Sequence, residues 1–332
     1  MTLEQMAAHQ FGISPNKITA VRRAFKVISS KGTFALKKSR QEKEDIYFIH
    51  AVKEHLYQQD MTNIDGYVLT PDKAPYVEVE GHLFVMSPWV DSREADYDAL
   101  TDVIPAATCL ALLHQSARGF VPPEVPERIW WGIWPSLWHQ RLEQLQQFKA
   151  SAQAKMTPGR FDRRFLRYVD RHWEQGREAL ELLDRSEYNK ITTQYQVIGS
   201  ICHHDYSERN VLFTPTHTVH LVDFDYCICD LPIHDLVNFL RRVAKFSNYS
   251  GDVASRALAA YLDKNPLSKE ELQVFVPLWL WPQKFWEVVY QYYGEERTRP
   301  RGKYCDRLRR RCHTREKERR LLEHITRAFQ LS

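Results

Sequence analysis

The sequence predicts an α+β protein with two lobes, a small one built on an antiparallel sheet and a larger, mostly helical one. Residues 17–39 alternate apolar and polar side chains around the turn residues Lys31 and Gly32, as antiparallel strands do. Helical patterns dominate at 150–192 and from 235 onward. Because 332 residues exceed the usual limit of one hydrophobic core, two lobes are expected.

The small lobe is placed at residues 1–86, a hinge at 87–91 and the large lobe at 92–332. In the small lobe, residues 2–11 predict a short amphipathic helix. A second helix over roughly 41–59 presents one apolar stripe, as a helix packed on a sheet should. The stripe consists of Ile46, Ile49, Val52 and Leu56.

The composition indicates a folded protein without a membrane segment. Hydrophobic residues make up 43% of the chain and aromatic residues 12%, which is enough to bury a sizeable core. No run of about 18 apolar residues occurs, and the N-terminus lacks the basic and apolar stretches of a secretory signal. We therefore expect neither membrane spanning nor secretion.

The six cysteines are too few and too scattered for a disulfide framework in a chain of this length. They suggest a reducing, cytoplasmic environment. Cys227 and Cys229 lie two positions apart after a predicted strand, which is the spacing of half a zinc site. Because no matching cysteine or histidine pair lies nearby in the sequence, we favour packing in the core.

The most informative segment is HHDYSERN at 203–210, followed by HLVDFD at 220–225. It places Asp205, Asn210 and Asp223 at the spacing that kinase-type phosphotransferases use for a base and two Mg²⁺ ligands. A carboxylate such as Asp205 orients an incoming hydroxyl and takes its proton. An amide oxygen and a carboxylate are the hard ligands that Mg²⁺ prefers beside a nucleotide triphosphate. The motif therefore predicts phosphoryl transfer.

The predicted local structure brings these side chains together. Residues 197–202 have the pattern of a strand that runs into the loop, and 219–224 have that of a second short strand. Between them, 211–213 and the Thr214–Pro215 turn complete a hairpin that returns Asp223 to the loop. The first motif alone also fits a loop of hydrogen-bonded polar residues, but Asp223 and the hairpin favour the phosphotransferase interpretation.

The chain resembles the aminoglycoside phosphotransferase and choline kinase group, and more closely the spore-coat protein S (CotS-type) family of endospore-forming bacteria. The resemblance rests on CHHDYSERNVLF at 202–213, HLVDFDYCICDLPIHDL at 220–236 and ATCLALLHQSA at 107–117. It implies a two-lobed, protein-kinase-like fold with ATP and Mg²⁺ as cofactors.

The resemblance also implies a role for each motif residue. Asp205 would be the base, and Asn210 and Asp223 would bind Mg²⁺. Asp235 would brace the catalytic loop, and the ring of His203 would support it. Asp235 fits equally well as an acid in the first turn of a helix, where the helix dipole favours it.

The nucleotide contacts that the resemblance implies fall in the small lobe and the hinge. Residues 82–91 predict a strand that leads into the hinge, where backbone groups of Ser87 to Trp89 would hydrogen-bond adenine. Lys37, on a predicted strand at 34–38, occupies the place of the lysine that grips the phosphates. Taken alone, Lys37 also fits a solvated edge-strand lysine.

Two departures from the kinase pattern support the alternative of a non-catalytic protein. Kinases pair the strand lysine with a glutamate of the following helix, and this chain has Ile49, His50 or Ala51 there. They also place a glycine-rich turn over the phosphates. The corresponding turn carries Arg22 and Arg23, which fit either a phosphate contact or a solvated face.

Two features of the large lobe have a structural and a functional interpretation. Trp130, Trp131, Trp134 and Trp138 cluster within nine positions, and we favour a core over a sugar-stacking or protein-docking surface. Between the hinge and the tryptophan cluster, a helix is predicted from its N-cap Asp102 to Ser116. His114 of this helix is expected to be a hydrogen-bonded core or interface residue.

The C-terminal segment at 297–320 holds twelve lysines and arginines against three acids. Such a run can contact nucleic acid or another anionic polymer through phosphate or carboxylate groups. The net charge of the whole chain is only +4, and the segment has a good amphipathic helical pattern. We favour a solvated terminal helix that docks on the large lobe.

Together these observations predict a spore-coat-associated, kinase-like phosphotransferase that uses ATP and Mg²⁺. The acceptor would be a hydroxyl of a small molecule, a saccharide or a coat component. The alternative is a structural coat protein that keeps the fold without turnover. Expected partners are the nucleotide, the unknown acceptor and other spore-coat proteins, whereas a membrane or nucleic acid is not expected. In the family's likeness, the protein would be made in the mother-cell cytoplasm and deposited in the spore coat.

Overall fold

The computed structural model describes residues 1–294 and 300–331 of the chain. Packing divides the chain into two compact units. The first comprises residues 1–129, 197–235 and 260–265, and the second comprises 130–196, 236–259 and 266–332. The predicted hinge at 87–91 lies inside the first unit, so the lobe boundaries drawn from the sequence stay a prediction.

An antiparallel sheet of five strands lies in the first unit. The strands are β1 (Pro15–Val21), β2 (Ala24–Ser29), β3 (Gly32–Lys38), β4 (Val77–Val79) and β5 (His82–Pro88). Their order across the sheet is β1-β2-β3-β5-β4. Ser29 pairs with Gly32 across the predicted turn, and Gly32 has a φ of 128°, which glycine adopts readily. The alternating pattern at 17–39 predicted β1, β2 and β3 correctly.

Two helices accompany this sheet, and both were predicted. Helix α1 (Leu3–Gln10) begins with a capping box in which Thr2 and Gln5 exchange hydrogen bonds. It packs on apolar side chains of the sheet: Val27, Leu36, Val77, Val79, Phe84 and Met86. Helix α2 (Lys43–Gln58) buries the whole predicted stripe of Ile46, Ile49, Val52 and Leu56. The 3.6-residue period was therefore a sound guide to which face is buried.

Ten further helices follow in the described residues. They are α3 (Leu100–Ser116), α4 (Trp134–Gln153), α5 (Arg160–Asp184), α6 (Tyr188–Ile198), α7 (Pro232–Phe246), α8 (Gly251–Lys264), α9 (Lys269–Gln273), α10 (Phe275–Leu280), α11 (Gln283–Tyr293) and α12 (Arg301–Phe329). The predicted α+β class, with a small antiparallel-sheet lobe and a larger helical part, is confirmed.

A second sheet carries the predicted hairpin. Its strands, in spatial order, are β6 (Arg93–Glu94), β7 (Val211–Phe213) and β8 (Val219–Leu221). β7 and β8 are antiparallel, with Val211 opposite Leu221. The hairpin is confirmed, although β8 ends three residues before the predicted end at 224.

The strand predicted at 197–202 is wrong. Helix α6 extends to Ile198, and Gly199 then turns the chain with a φ of 79°. A Cβ at Gly199 would lie 2.5 Å from the carbonyl oxygen of Phe120, so this close approach requires glycine. Cys202 forms only an isolated bridge with Ile228. A short apolar run does not distinguish a buried strand from the end of a helix.

The predicted N-cap of α3 is also wrong. The helix begins at Leu100, and Ala99 precedes it as the cap. Asp102 is instead buried within the first turn, where its oxygens lie 2.5 and 2.9 Å from the guanidinium of Arg93. It also accepts the backbone N–H of Asp96 at 2.8 Å. The carboxylate of Asp102 therefore binds Arg93 and Asp96, which precede the helix, instead of capping it.

The second unit has an aromatic core. Trp131, Trp134 and Trp138 are buried, and Trp138 stacks on Trp281 with ring centroids 4.5 Å apart. Trp134 stacks on Tyr188 at 5.0 Å. This burial supports the predicted core for the tryptophan cluster.

Helix α12 packs on α5, α10 and α11 within the same unit. Its buried side chains are Tyr304, Cys305, Leu308, Leu321, Leu322 and Ile325. On its exposed face, Arg319 forms ion pairs with Glu316 and Glu323. This is the amphipathic terminal helix expected from the sequence, although residues 297–299 of the basic run lie outside the described residues.

In the part of the chain that the structure describes, all six cysteines are free, and Cys227 and Cys229 are buried in the core as expected. None of the described helices has the length and apolar character needed to span a lipid bilayer.

Candidate active site

Asp205, Asn210 and Asp223 lie together in the first compact unit. Asn210 Nδ2 donates to Asp205, with distances of 3.0 Å to Oδ2 and 2.9 Å to the backbone oxygen. The N–H of Val222 donates to the backbone oxygen of Asn210 at 3.0 Å, which places Asp223 beside the loop. Since the amide nitrogen of Asn210 faces Asp205, its Oδ1 is the atom that remains to bind a metal ion.

Asp235 binds the backbone of the loop that carries Asp205. Its Oδ2 accepts the N–H of His203 at 2.5 Å, and its Oδ1 accepts the N–H of His204 at 3.0 Å. Burial would raise the pKa of Asp235, but the hydrogen bond and charge of His114, together with the neighbouring His203 and His204, lower the pKa to about 2. Asp235 also lies in the first turn of α7. It therefore binds the loop and occupies the first turn of a helix at the same time, which were the two alternatives considered for it.

His203 is buried behind the loop. Its Nε2 lies 3.1 Å from the backbone oxygen of Val222, and its ring lies 4.6 Å from that of Phe224. These contacts join the loop to the segment that carries Asp223. His203 thus lies where a supporting ring was expected, and its contacts are with the protein interior.

Lys37 extends from β3 to two carboxylates. Its Nζ lies 2.5 Å from Asp223 Oδ1 and 2.7 Å from Asp225 Oδ2. Burial lowers the pKa of Lys37, but the charges and hydrogen bonds of Asp225 and Asp223 outweigh it and raise the pKa above its usual value. Burial likewise would raise the pKa of Asp223, and Lys37 reverses this, so the carboxylate is ionised at neutral pH.

A cavity of about 1060 Å³ lies within the first unit and contains the predicted site residues. Lys37, Ser87, Trp89, Asp205, Asn210 and Asp223 all line it. The size is in the upper range for small-molecule sites. One cavity therefore joins the candidate base, the candidate metal ligands and the candidate nucleotide contacts.

Ser87 and Trp89 lie at the end of β5, where the adenine contact was expected. Ser87 is opposite Ala35 in the sheet. The N–H of Trp89 donates to the backbone oxygen of Thr33 at 3.0 Å. Any adenine contact at Trp89 would therefore use its carbonyl oxygen rather than its N–H group.

The turn between β1 and β2 is formed without glycine. Arg22 has a φ of 56°, in the left-handed region that few non-glycine residues adopt. Its guanidinium forms an ion pair with Glu94, and both Arg22 and Arg23 line the cavity. The positive charges are thus near the expected phosphate position, but Arg22 already has an acidic partner.

Several residues of the site were missed by the sequence reasoning. Asp225 is the second acid of the quoted DFD segment and shares Lys37 with Asp223. Lys53 on α2 is only 1% exposed. Its spacing from Ile49 and Leu56 places it on the buried stripe, and this spacing is the sequence feature that could have indicated its burial.

Two other residues that the reasoning missed carried no such signal. Arg128 is buried and binds Asp45 at 2.7 Å and the backbone oxygens of Asp225 and Cys227 at 2.7 and 3.0 Å. Asp65 binds both Lys53 and the backbone of Asp223. These contacts join segments distant in sequence, and no local pattern in the sequence indicates them.

The antiparallel sheet, the loop and the hairpin define a protein with the kinase-like fold of the aminoglycoside phosphotransferases. An aminoglycoside phosphotransferase from Alicyclobacillus acidocaldarius subsp. acidocaldarius DSM 446 superposes with a TM-score of 0.84 at 21% identity, covering 100% of this chain and 97% of that one. The amicoumacin kinase hAmiN, in complex with AMP-PNP, Ca²⁺ and Ami, gives a TM-score of 0.63 at 15% identity, with coverage of 93% and 90%.

The chain belongs to the family described as "Spore coat putative kinase YutH", whose model matches residues 4–325. It is also similar to Spore coat protein S of Bacillus subtilis (strain 168), with 25% identity over 288 residues that cover 83% of this chain and 78% of the relative. The predicted relationship to spore-coat proteins with a kinase-like fold is confirmed.

Proposed function

We propose that this protein is a Mg²⁺-dependent phosphotransferase that transfers the γ-phosphoryl group of ATP to a hydroxyl of a small molecule, a saccharide or a coat component. The observation that carries the proposal is the convergence of Asp205, Asn210, Asp223 and Lys37 on one cavity. These are the groups that positioning and charge stabilisation in phosphoryl transfer require.

Asp205 would orient the acceptor hydroxyl and take its proton. Asn210 donates to Oδ2 of Asp205 and so fixes the orientation of the carboxylate that would accept the proton. Because the loop is bound at two N–H groups by Asp235, the carboxylate does not depend on the substrate for its position. Such preorganisation is the contribution expected of a base in this chemistry.

Asn210 Oδ1 and Asp223 would bind the cation, and Asp225 adds a second carboxylate nearby. The amide oxygen of Asn210 and the carboxylate oxygens of Asp223 are hard donors of the kind that Mg²⁺ prefers. When bound, Mg²⁺ neutralises charge on the β- and γ-phosphates. Lys37 would donate to the phosphates with the N–H group of its ammonium that Asp223 and Asp225 do not use. The Ca²⁺ and AMP-PNP bound to the amicoumacin kinase support a nucleotide with a divalent cation in this fold.

The likeness to Spore coat protein S supports a location in the spore coat. We propose in addition that the protein is made in the mother-cell cytoplasm before it is deposited there. Coat proteins would then be neighbours and candidate acceptors. A second candidate function is a structural coat protein that keeps the fold without turnover. The glycine-free turn at Arg22, paired with Glu94, is the observation that favours it.

The test is phosphate transfer from γ-labelled ATP to cell-wall sugars, coat proteins and small alcohols, with Asp223→Ala as the matched variant. We expect label transfer by the wild-type protein and a loss of transfer in Asp223→Ala. Equal transfer by both proteins would contradict the assigned metal site.

Thermal unfolding with ATP and Mg²⁺ separates the two candidate functions when no acceptor is labelled. A ligand at 100 times its Kd stabilises the folded state by about 2.7 kcal/mol. A rise in Tm that is absent in Asp223→Ala supports the nucleotide site. An unchanged Tm at millimolar ATP and Mg²⁺ would favour the structural coat protein.

A further inference from the structure

Lys53 is a buried cation in the middle of helix α2. Its side chain is 1% exposed, between the apolar residues Ile49 and Leu56 of the same stripe. Its Nζ lies 2.9 Å from Asp65 Oδ1 and 2.8 Å from the backbone oxygen of Asp65. A buried ammonium group is costly unless it is paired and hydrogen-bonded, and Asp65 supplies both requirements.

The aromatic ring of Tyr67 closes a further side of this cation. Nζ of Lys53 lies 3.9 Å from the ring centroid of Tyr67, and the ring of Phe224 lies 5.6 Å away. Cation–π contacts of this kind are strongest where water is excluded. Lys53 is therefore fixed by several groups that are all contributed by the first unit.

The other oxygen of Asp65 binds the candidate metal-binding segment. Asp65 Oδ2 accepts the backbone N–H of Asp223 at 3.0 Å. Residues 63–65 also pair with β8, because the N–H of Leu221 donates to the backbone oxygen of Asn63 at 2.9 Å and the N–H of Asp65 donates to the backbone oxygen of Leu221 at 3.1 Å. One carboxylate thus joins helix α2 to the residue that carries the metal ligand.

Asp223 has a backbone conformation that needs such support. Its φ of 67° and ψ of 62° lie in the left-handed region, which is uncommon for residues other than glycine, although aspartate adopts it more readily than most. An aspartate keeps a left-handed backbone conformation where contacts with the surrounding structure hold it in place. The hydrogen bond from its N–H to Asp65 fixes the plane of the peptide that precedes its Cα.

We infer that Lys53 and Asp65 are positioning residues that set the orientation of the metal-binding carboxylate of Asp223. Asp65 holds the backbone of Asp223, and Lys53 orients the carboxylate of Asp65 from helix α2. Lys37 of β3 binds the same segment from the sheet. Among the described residues, its acidic partners are Asp223 and Asp225. The metal-binding role of Asp223 rests on the proposed function, whereas the support of its backbone does not.

The first measurement is the binding of Mn²⁺ in the presence of ADP, followed by the electron paramagnetic resonance signal of free Mn²⁺. Asp65→Ala is expected to weaken Mn²⁺ binding about 10- to 100-fold, as loss of a group behind a metal ligand usually does. The double variant Lys53→Met with Asp65→Asn keeps an oxygen that accepts the N–H of Asp223 and leaves no buried charge unpaired. It should recover the part of the lost affinity that depends on the hydrogen bond to the Asp223 N–H, but not the part that depends on Lys53 orienting residue 65.

Asp102→Asn is the matched control, because Asp102 is also a buried carboxylate of the first unit that binds an arginine and a backbone N–H. It should lose stability and keep the Mn²⁺ affinity. Asp65→Ala with wild-type Mn²⁺ affinity would overturn the inference, and so would an equal loss of affinity in Asp102→Asn.

The second measurement is hydrogen exchange of the Asp223 amide without any ligand, at single-residue resolution. Protection in the wild type that falls at least tenfold in Asp65→Ala, and not in Asp102→Asn, supports the inference even if the protein binds neither ADP nor Mn²⁺. In that case the proposed function fails and the positioning of Asp223 stands. An Asp223 amide that exchanges equally in the wild type and Asp65→Ala would refute the positioning role.

Discussion

The site has two regions that differ in how closely they follow the kinase pattern. In the base and metal region, formed by the loop at 203–210 and the hairpin after it, Asn210 donates to Asp205 and accepts the N–H of Val222, the residue before Asp223. The phosphate region, formed by the β1–β2 turn and helix α2, lacks both the glycine and the helix glutamate. Instead, Arg22 of the turn pairs with Glu94, Lys53 of α2 pairs with Asp65, and the neighbouring Lys37 of β3 pairs with Asp223 and Asp225.

The phosphate region has other interactions in place of the pair between a strand lysine and a helix glutamate. Where a glutamate of α2 would attach the helix to Lys37, Lys53 attaches it to Asp65 and so to the backbone of Asp223. Arg128 makes a second link, between Asp45 of α2 and the backbone of Asp225. Helix α2 is therefore joined to the segment of Asp223 and Asp225 by two ion pairs, one in which α2 supplies the cation Lys53 and one in which it supplies the acid Asp45.

The largest effect is expected in the base and metal region. Asp205→Asn keeps the shape of the side chain and removes the proton acceptor, so kcat should fall roughly 10²- to 10⁴-fold. Steady-state kinetics with the acceptor found by label transfer measures this effect, and an unchanged Tm shows that the fold is kept. Wild-type turnover by Asp205→Asn would remove Asp205 from the mechanism.

A smaller effect is expected at Lys37, where the two regions meet. Lys37→Met removes charge-assisted hydrogen bonds that are worth about 1.5–3 kcal/mol each, so the KM for ATP should rise roughly 10- to 100-fold. Lys38→Met is the control, because Lys38 is the exposed neighbour on the opposite face of β3. If both variants raise KM equally, Lys37 has no special contact with the phosphates.

The support that Asp235 gives to the loop at 203–210 predicts a pH dependence of stability. The pKa of Asp235 is lowered from 3.8 to about 2 in the folded state. A lowered pKa stabilises the fold above the unfolded value, and this contribution of about 2 kcal/mol is lost as the pH falls from 3.8 towards 2.

Denaturant unfolding between about pH 5 and pH 2 measures this contribution. Asp235→Asn should lower the free energy of unfolding at the upper end of that range and flatten its decline with acid. Asp170→Asn, at an exposed position of α5, should decline like the wild type. A wild-type decline in Asp235→Asn would show that another group causes the acid dependence.

The smallest effect is expected at the β1–β2 turn. Arg22→Gly suits the left-handed backbone and loses an exposed ion pair, which is worth at most about 1 kcal/mol. The KM for ATP should change less than about fivefold, and Glu94→Gln should behave alike. A tenfold gain in ATP affinity in Arg22→Gly alone would show that the missing glycine limits nucleotide binding.

The sequence predicted those parts of the fold that depend on local periodicity. The strands at 17–39 and the stripe of α2 follow directly from spacing, and Asp205, Asn210 and Asp223 lie within 19 residues joined by one hairpin. The strand at 197–202 failed because the close approach of Gly199 to Phe120 is a tertiary contact. A short apolar run carries no information about it.

The site residues that could not be predicted depend on long-range contacts. Asp65 acquires its role only because residues 63–65 pair with β8, about 150 positions later in the chain. Asp102 has the residue type of an N-cap, yet Arg93 and the N–H of Asp96 bind it. In both cases the residue type was informative, and its partner was not visible in the sequence.

The most direct test of the central claim is a calorimetric titration of the protein with ATP, in the presence and absence of Mg²⁺, beside Asp223→Ala. The convergence of Asn210 and Asp223 on one cavity predicts that Mg²⁺ strengthens ATP binding in the wild type and has no such effect in Asp223→Ala. ATP binding that is equally tight with and without Mg²⁺, or an equal Mg²⁺ effect in both proteins, would contradict the assigned site.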